Sequence, residues 1–205
     1  MNSSTPLQTA GATVSVAEQG TWLRSAGTVL AGTAFIAACA HVALPLYFTP
    51  VPLTLQTFAV LTLGLLLSPG LAALTLIAYL TEGVLGLPVF APGVAGTLGV
   101  AHLLGPTGGY LLAYPPAAAL ISFLWRASRR GLFSAMVCAA AGNALIVCAG
   151  AAWLGILSRA SLQLVISQAI LPFLPGDALK IVAAAALATG WRRLRHRNVS
   201  SFPTK

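Results

Sequence analysis

The chain has 205 residues, of which 58% are hydrophobic and 7% are charged, and its formal net charge is +8. Soluble domains carry about 25% charged residues to keep their surfaces wetted, so this composition excludes a soluble globular protein. A membrane-spanning helix takes about 20 residues, which leaves room for about six such helices. A β-barrel would show short alternating strands, whereas long apolar runs rich in Ala, Leu and Gly indicate an all-α, polytopic membrane protein.

Six apolar segments are predicted as a bundle of transmembrane helices. They cover about residues 26–44, 54–67, 71–87, 108–125, 132–155 and 176–191. A cleaved signal peptide at the first segment is disfavoured, because further apolar segments follow and the preceding sequence is long and not basic. The predicted division is a flexible leader at 1–24, a six-helix membrane domain at 25–191 and a basic cytoplasmic tail at 192–205.

The distribution of basic residues predicts the orientation of the bundle. If the N-terminus is inside, nine of the 11 Lys and Arg residues fall in inside segments. These nine residues are Arg24, Arg126, Arg129, Arg130, Arg192, Arg193, Arg195, Arg197 and Lys205. Because inside loops carry the excess of positive charge, both termini are predicted to be cytoplasmic. An even number of helices follows, which favours six over five or seven.

The acidic residues of the membrane part single out one candidate site. The chain has three acidic residues, and Asp177 lies in the predicted first turn of the last helix, where the helix dipole favours an anion. Lys180 is three residues further on and therefore shares its face. At 1.5 Å per residue it lies about 5 Å below the outer end of that helix. The pair is predicted to line a pocket near the outer face, although a purely structural cap and ion pair is the alternative.

Three further polar residues belong to the predicted polar set. Glu82 lies near the outer end of the third predicted helix, where the dipole disfavours an anion, so Lys180 or Arg159 is expected to pair with it; a glutamate reaching the interface is an equal alternative. Gln56 and Asn143 offer donors and acceptors to a ligand. They also fit the role of hydrogen-bonding helices together, which is the commoner one for an isolated amide.

Aromatic and small residues complete the candidate list. Tyr110 and Phe90 lie in the outer half, where most aromatics anchor the interface and a minority wall an apolar ring system. A stripe of small residues follows helical spacing on the first predicted helix. The stripe consists of Gly27, Ala31, Ala34 and Ala38. Such a stripe allows close helix approach, and from the pattern alone packing inside the bundle is preferred over docking of a partner.

Several classes of function lack their motifs in this sequence. No GxxxxGK[ST] string is present, so no nucleotide site of the P-loop type is expected. Neither GxSxG nor HExxH occurs, which argues against an enzyme of those classes. Cys39, Cys138 and Cys148 all lie in apolar runs and are predicted to be packing residues and not metal ligands. No basic patch with interleaved aromatics indicates nucleic acid, and the basic residues are explained by membrane topology.

Five sequence blocks in a fixed order resemble the BioY family. They are Val51–Val60 (VPLTLQTFAV), Gly86–Ala91 (GLPVFA), Leu104–Tyr110 (LGPTGGY), Gly142-Asn143 followed by Trp153-Leu154, and Pro172–Asp177 (PFLPGD) followed by Lys180. The resemblance runs from about residue 26 to 191 and therefore covers the membrane part. One such block alone would be weak, but five at fitting spacing are specific.

The resemblance implies a function in vitamin uptake. BioY proteins are the substrate-binding (S) components of energy-coupling-factor (ECF) biotin transporters, with six helices and biotin bound near the outer face. A separate transmembrane (T) subunit and two ABC-type ATPases supply the energy, some members work without a dedicated module, and self-association stays open. The chain is then expected in the cell (inner or plasma) membrane, without a cofactor or a metal of its own. Its nearest rivals are an S component for another vitamin and a membrane enzyme that lacks recognisable motifs.

The resemblance also implies roles for individual residues. The expected biotin-binding set is Asp177, Lys180, Asn143, Gln56, Tyr110, Phe90 and Glu82. Family members use small residues of the first helix to meet the T subunit. This raises the weight of Ala34 and Ala38 as a docking surface above that of internal packing.

Overall fold

The computed structural model describes the backbone of residues 9–92 and 99–200 and the side chains of residues 21–92 and 99–195. Within these ranges the chain is mostly helical. Its elements are α1 (Thr9–His41), β1 (Ala43–Leu44), β2 (Leu53–Thr54), α2 (Gln56–Leu66), α3 (Pro69–Val84), α4 (Val100–Leu103), α5 (Gly108–Ala127), α6 (Leu132–Ser158), α7 (Leu162–Ala169) and α8 (Leu174–Ser200).

Apolar helices of membrane-spanning length are present in the described part of the chain. Residues 21–41 of α1 and the whole of α6 are long and apolar enough to cross a bilayer, and α7 with α8 adds a third candidate if their 47° bend lies within one span. Helices α2 and α3 have 11 and 16 residues, which is shorter than the roughly 20 that a straight span needs. These helices confirm the prediction of a mostly helical protein with apolar segments that can cross a membrane.

The first and last helices are longer than the sequence predicted. Helix α1 already begins at Thr9, so the predicted start near residue 26 is wrong, and residues 9–24 of the predicted flexible leader are helical. No proline occurs between Pro6 and Pro45 to interrupt the helix. Helix α8 continues to Ser200, past its predicted end at 191, because arginine favours a helix about as strongly as leucine does. Residues 1–8 and 201–205 lie outside the described residues.

The proline-rich segment after α1 forms a short hairpin. Strands β1 and β2 pair antiparallel, with Ala43 opposite Thr54 and Leu44 opposite Leu53. Residues 45–52 form the turn between them, and the chain then enters α2 at Gln56. The hairpin was not predicted, because two-residue strands are too short to show a period. It fixes the turn against the start of α2.

Small residues allow the central helices to pack closely. Helix α5 packs against α6, α3 and α2, while α8 lies against α2 and α6, and α1 lies against α3 and α2. A Cβ atom at Gly64 of α2 would lie 3.0 Å from the carbonyl oxygen of Ala118 in α5. A Cβ at Gly109 would collide with Trp153 of α6. These contacts require glycine, and they bring the backbones together around one buried core.

The bundle has two ends that differ in chemistry. At one end α2, α5 and α8 begin, and their first two turns carry Gln56, Tyr110, Asp177 and Lys180. At the other end lie the turn between α5 and α6 and the last turns of α8. There the Arg192 guanidinium donates to the carbonyl of Arg130. The first is called the pocket end and the second the arginine end.

Candidate functional site

A cavity of about 180 Å³ opens at the pocket end of the bundle. Its wall combines apolar side chains with a few polar ones. The polar wall residues are Thr54, Gln56, Thr57, His102, Thr107, Tyr110, Tyr114, Asp177 and Lys180. The hairpin turn contributes Pro50, Val51 and Pro52, and Phe173 precedes α8. An apolar cavity with a few convergent polar groups is the usual form of a small-molecule site.

Asp177 and Lys180 form a buried ion pair on this wall. Lys180 Nζ donates to Asp177 Oδ1 at 3.0 Å, and the two residues are 7% and 4% exposed. The backbone N–H of Asp177 bonds the Phe173 carbonyl at 2.8 Å, which places the carboxylate in the first turn of α8. The predicted position and the shared helix face are therefore confirmed. Burying two charges is costly unless they are paired and hydrogen-bonded. The remaining carboxylate oxygen of Asp177 therefore needs a donor of its own.

Asn143 of α6 supplies this donor from behind the cavity wall. Its Nδ2 donates to Asp177 Oδ2 at 3.1 Å, so each carboxylate oxygen has its own donor. Asn143 is buried, but it is not one of the residues that line the cavity. Its Oδ1 atom has no hydrogen-bond partner among the described residues. Asn143 thus orients Asp177 in this structure.

Gln56 is held in place by a chain of hydrogen bonds that leads away from the cavity. Its Nε2 donates to the Tyr79 hydroxyl at 2.7 Å, and that hydroxyl donates to the Val89 carbonyl at 3.0 Å. Thr54 Oγ1 donates to Gln56 Oε1 at 3.1 Å. A primary amide has two N–H donors and two carbonyl lone pairs. These bonds therefore leave one donor and one acceptor of Gln56 for another partner.

Tyr110 connects the cavity wall to the short helix α7. Its hydroxyl donates to the Ala169 carbonyl at 2.9 Å, and its ring centroid lies 6.2 Å from that of Phe173. A Cβ atom at Gly150 of α6 would collide with the Tyr110 ring. The ring is therefore held between α6 and the segment that leads into α8. This geometry suits a wall for a ring-shaped ligand.

Phe90 and Glu82 do not line the cavity. The Phe90 ring stacks on His102 with 5.1 Å between centroids and meets Tyr79 edge-on at 5.5 Å, so it supports wall residues from behind. Glu82 is half-buried and outside the cavity lining. The expectation that Lys180 or Arg159 pairs with Glu82 is wrong. Lys180 pairs with Asp177, and the described side chains show no ion pair between Glu82 and Arg159. A partner three residues away on the same helix is within reach of the Lys180 side chain without any contribution from another helix.

Other wall residues had no signal in the sequence. In the sequence His102 is flanked by apolar residues. In the structure its Nε2 lies 3.4 Å from Thr107 Oγ1. Thr57 and Tyr114 also line the cavity, and Tyr79 holds Gln56 without reaching the wall. A lone polar residue shows neither period nor spacing. Only the packing of α2, α4 and α5 brings these residues to one place.

The small-residue stripe of α1 faces away from the bundle. Gly27, Ala31, Ala34 and Ala38 are all exposed. The inner face carries Gly32 instead, where an added Cβ would lie 2.5 Å from Thr75 of α3. Packing of the stripe inside the bundle, the preference from the pattern alone, is therefore wrong.

A family pattern and two known proteins that match this chain over most of its length carry the name BioY. The pattern that defines the BioY family matches residues 8–197. A Pyrococcus horikoshii protein named "Probable biotin transporter BioY" is 41% identical over 139 residues, which covers 68% of this chain and 79% of that protein. "Biotin transporter BioY2" of Lactococcus lactis is 31% identical over 181 residues, covering 88% of this chain and 97% of the relative.

A solved structure shares the fold. The S-component for biotin from an ECF-type ABC transporter superposes with a TM-score of 0.76 at 28% sequence identity, and the match covers 85% of this chain and 93% of that one. The five resembling blocks lie within the matched range, and three of them carry Gln56, Tyr110 and Asp177 of the cavity wall. The chain therefore belongs to the BioY family.

Proposed function

We propose that this chain captures biotin at the pocket end of its bundle and serves as the substrate-binding subunit of a biotin uptake system. The observation that carries the proposal is the buried Asp177–Lys180 pair on the wall of a mostly apolar cavity. The relatives' names, together with the solved S-component for biotin, support the choice of ligand. In this role the chain binds and delivers a solute and is not an enzyme.

The chemistry of biotin complements the polar groups of the cavity. Its ureido ring has two N–H donors and one carbonyl, its second ring is apolar, and its tail ends in a carboxylate. Asp177 is acceptor-only when ionised and suits the ureido N–H groups, while Lys180 is donor-only and suits a carbonyl or carboxylate oxygen. Gln56 retains one donor and one acceptor, and Tyr110 offers an aromatic wall. Asn143 and Tyr79 act by orienting Asp177 and Gln56.

Phe90 and Glu82, which like Asn143 lie outside the cavity lining, receive different roles. Phe90 shapes the site through His102, on which it stacks. Glu82 is proposed as a residue of the pocket-end rim and not as a direct ligand contact.

We propose six membrane passes with both termini in the cytoplasm. The six longest described helices, α1, α2, α3, α5, α6 and α8, correspond in order to the predicted segments. The excess of arginine at the arginine end supports a cytoplasmic location for that end. The pocket then opens to the outside of the cell or inner membrane. The proposed membrane domain extends from residue 25 to 191, with the leader and the basic tail on the cytoplasmic side.

We propose that the energy for uptake comes from partner subunits. An ECF T subunit and two ABC-type ATPases would fill this role, and no nucleotide or other cofactor is assigned to this chain. The exposed stripe of α1 supports a docking surface at Ala34 and Ala38, because small exposed residues let another helix approach closely. Self-association is proposed through the same face.

The test is equilibrium binding of biotin to the purified full-length protein, with thiamine and riboflavin as competitors. Saturable biotin binding that neither competitor displaces is expected. Preference for another vitamin would assign a sister function, and conversion of biotin to a product would indicate an enzyme.

Asp177→Ala and Lys180→Ala should each weaken biotin binding by about tenfold or more, since a charged hydrogen bond contributes about 1.5–3 kcal/mol. Arg159→Ala, an exposed charge change outside the cavity, is the control.

A further inference from the structure

A second, shallow groove lies at the arginine end, far from the cavity. It encloses about 490 Å³ between the α5–α6 turn and the last turns of α8. The groove is lined by Arg129, Arg130, Gly131, Leu132, Thr189, Arg192 and Arg193, and is called the arginine groove. Four arginines thus line one surface, although they come as two adjacent pairs that are about 60 residues apart in the sequence.

These four charges have no carboxylate partner in the described part of the chain. The chain has three acidic residues. Asp177 is bound to Lys180, and the 15 residues from Asp177 to Arg192 place it about 22 Å away along α8. Glu82 lies one turn after Tyr79, at the pocket end. Neither of the two carboxylates in the described part of the chain therefore neutralises the groove, and its arginines are available to an anion from another molecule.

One of the four guanidinium groups is held in position. Arg192 Nη1 donates to the Arg130 carbonyl at 3.1 Å, and the guanidinium carbon lies 5.8 Å from the centroid of the Trp125 ring. Arg130 adopts a left-handed conformation with φ of 54°, and its N–H bonds Ser128 Oγ. An arginine has five N–H donors, so one hydrogen bond leaves most of the Arg192 fork free to bind an anion.

The surface beside the groove is apolar and exposed. Leu132 lies in the groove itself, and Phe133 next to it is 79% exposed. Trp191 and Leu194 on the last turns of α8 are also exposed. Guanidinium groups next to exposed aromatic and aliphatic side chains match a molecule with an anionic head and hydrocarbon chains. A free phosphate or a nucleic acid would leave these apolar side chains unused.

We propose that the arginine groove binds the headgroup of an anionic phospholipid. The lipid phosphate contacts the cluster of Arg129, Arg130, Arg192 and Arg193, while the acyl chains lie along Leu132, Phe133 and the end of α8. The position of the groove at the end of the apolar spans places it at headgroup depth. This inference is independent of the proposed function, because it uses none of the cavity residues.

The experiment measures lipid binding to the purified full-length protein in a neutral detergent by native mass spectrometry. The probes are phosphatidylglycerol, phosphatidylcholine and, as the headgroup alone, glycerol 1-phosphate. Phosphatidylglycerol is expected to bind at least tenfold more tightly than phosphatidylcholine, and added salt should weaken it. Glycerol 1-phosphate should not compete.

Matched variants locate the site. A basic residue near an anionic surface contributes about fivefold in affinity. Arg193→Gln should therefore weaken phosphatidylglycerol binding by about fivefold, and the Arg129→Gln/Arg193→Gln double variant by about 25-fold. Arg159→Gln removes the same charge outside the groove and should have no effect. Neither groove variant touches Arg192, and the thermal unfolding midpoint of each in detergent alone checks its fold.

Four outcomes would overturn the proposal. Equal affinity for phosphatidylglycerol and phosphatidylcholine would show that charge is not recognised. Wild-type affinity in the double variant, or an equal loss in Arg159→Gln, would remove the binding from the groove. Competition by glycerol 1-phosphate at the affinity of the lipid would reassign the groove to a soluble phosphate compound.

Discussion

Asn143 of α6 and Asp177 of α8 are joined by a 3.1 Å hydrogen bond from Nδ2 to Oδ2. Lys180 holds the other oxygen of the same carboxylate from one turn further along α8. Because the two donors come from different helices, the carboxylate has a fixed orientation before any ligand enters the cavity. The site therefore depends on how α6 packs against α8 as well as on the ligand contacts themselves.

Replacing Asn143 tests this orientation. Asn143→Leu should weaken biotin binding by about tenfold or more, because it removes a hydrogen bond to a charged group that contributes about 1.5–3 kcal/mol. Equilibrium binding measures the effect. Thr62→Val is the matched control, since Thr62 Oγ1 and Asn143 Oδ1 are the buried side-chain oxygens without a partner among the described residues, and Thr62 does not line the cavity. Wild-type affinity in Asn143→Leu would contradict the role.

The Asp177–Lys180 pair should affect stability and binding in different ways. Removing one member of a buried ion pair costs about 3–5 kcal/mol, whereas replacing both by apolar residues is often neutral. Asp177→Leu and Lys180→Met should each lower the thermal unfolding midpoint, and the double variant should recover most of the loss.

Biotin binding by the same three proteins separates the two roles of the pair. All three should bind biotin at least about tenfold more weakly than the wild type, including the double variant with its restored stability. Full biotin affinity in the double variant would remove the pair from the site. A midpoint for the double variant below both singles would show that the two charges do not compensate each other.

Gly150 tests whether the Tyr110 ring must stay where it is. Alanine in a helix is about 1 kcal/mol more favourable than glycine, so Gly→Ala normally stabilises. At Gly150 the new Cβ would collide with the Tyr110 ring, and Gly150→Ala should instead destabilise the protein and weaken biotin binding. Gly190→Ala is the control, because no atom lies within 4 Å of its added Cβ. The thermal unfolding midpoints of the two variants measure the effect. Similar stabilisation of both would mean that the Tyr110 ring can move aside without cost.

The α1 stripe should matter for transport but not for binding. Ala34→Leu with Ala38→Leu changes two exposed positions, so biotin binding by the purified protein should be unchanged. Biotin uptake by cells and co-purification with a T subunit should be lost. Gly32→Leu changes the inner face against Thr75 and should reduce stability. Uptake at the wild-type rate in the double variant would show that α1 does not dock a partner through this stripe.

Several features could be predicted because they depend on composition or on neighbours along the helix. Each predicted apolar segment overlaps a helix of the structure, and the pairing of Asp177 with Lys180 follows from their spacing of three. Helix ends were less accurate, as at Thr9, because the polar, Ser- and Thr-rich composition of residues 9–24 resembles that of a leader although these residues are helical. The hairpin of β1 and β2 was missed because its strands have two residues each.

Composition and helix spacing were enough to predict a helical membrane protein in which Asp177 and Lys180 share a helix face, since hydrophobicity sums over a segment and helix spacing is local. Helix packing was needed to show that Asn143 donates to Asp177, that Phe90 and Glu82 lie outside the cavity wall, and that the α1 stripe faces outward. The same packing assembles the arginine groove from two distant segments. These contacts join residues far apart in the chain, and their geometry depends on how whole helices pack, which no local pattern encodes.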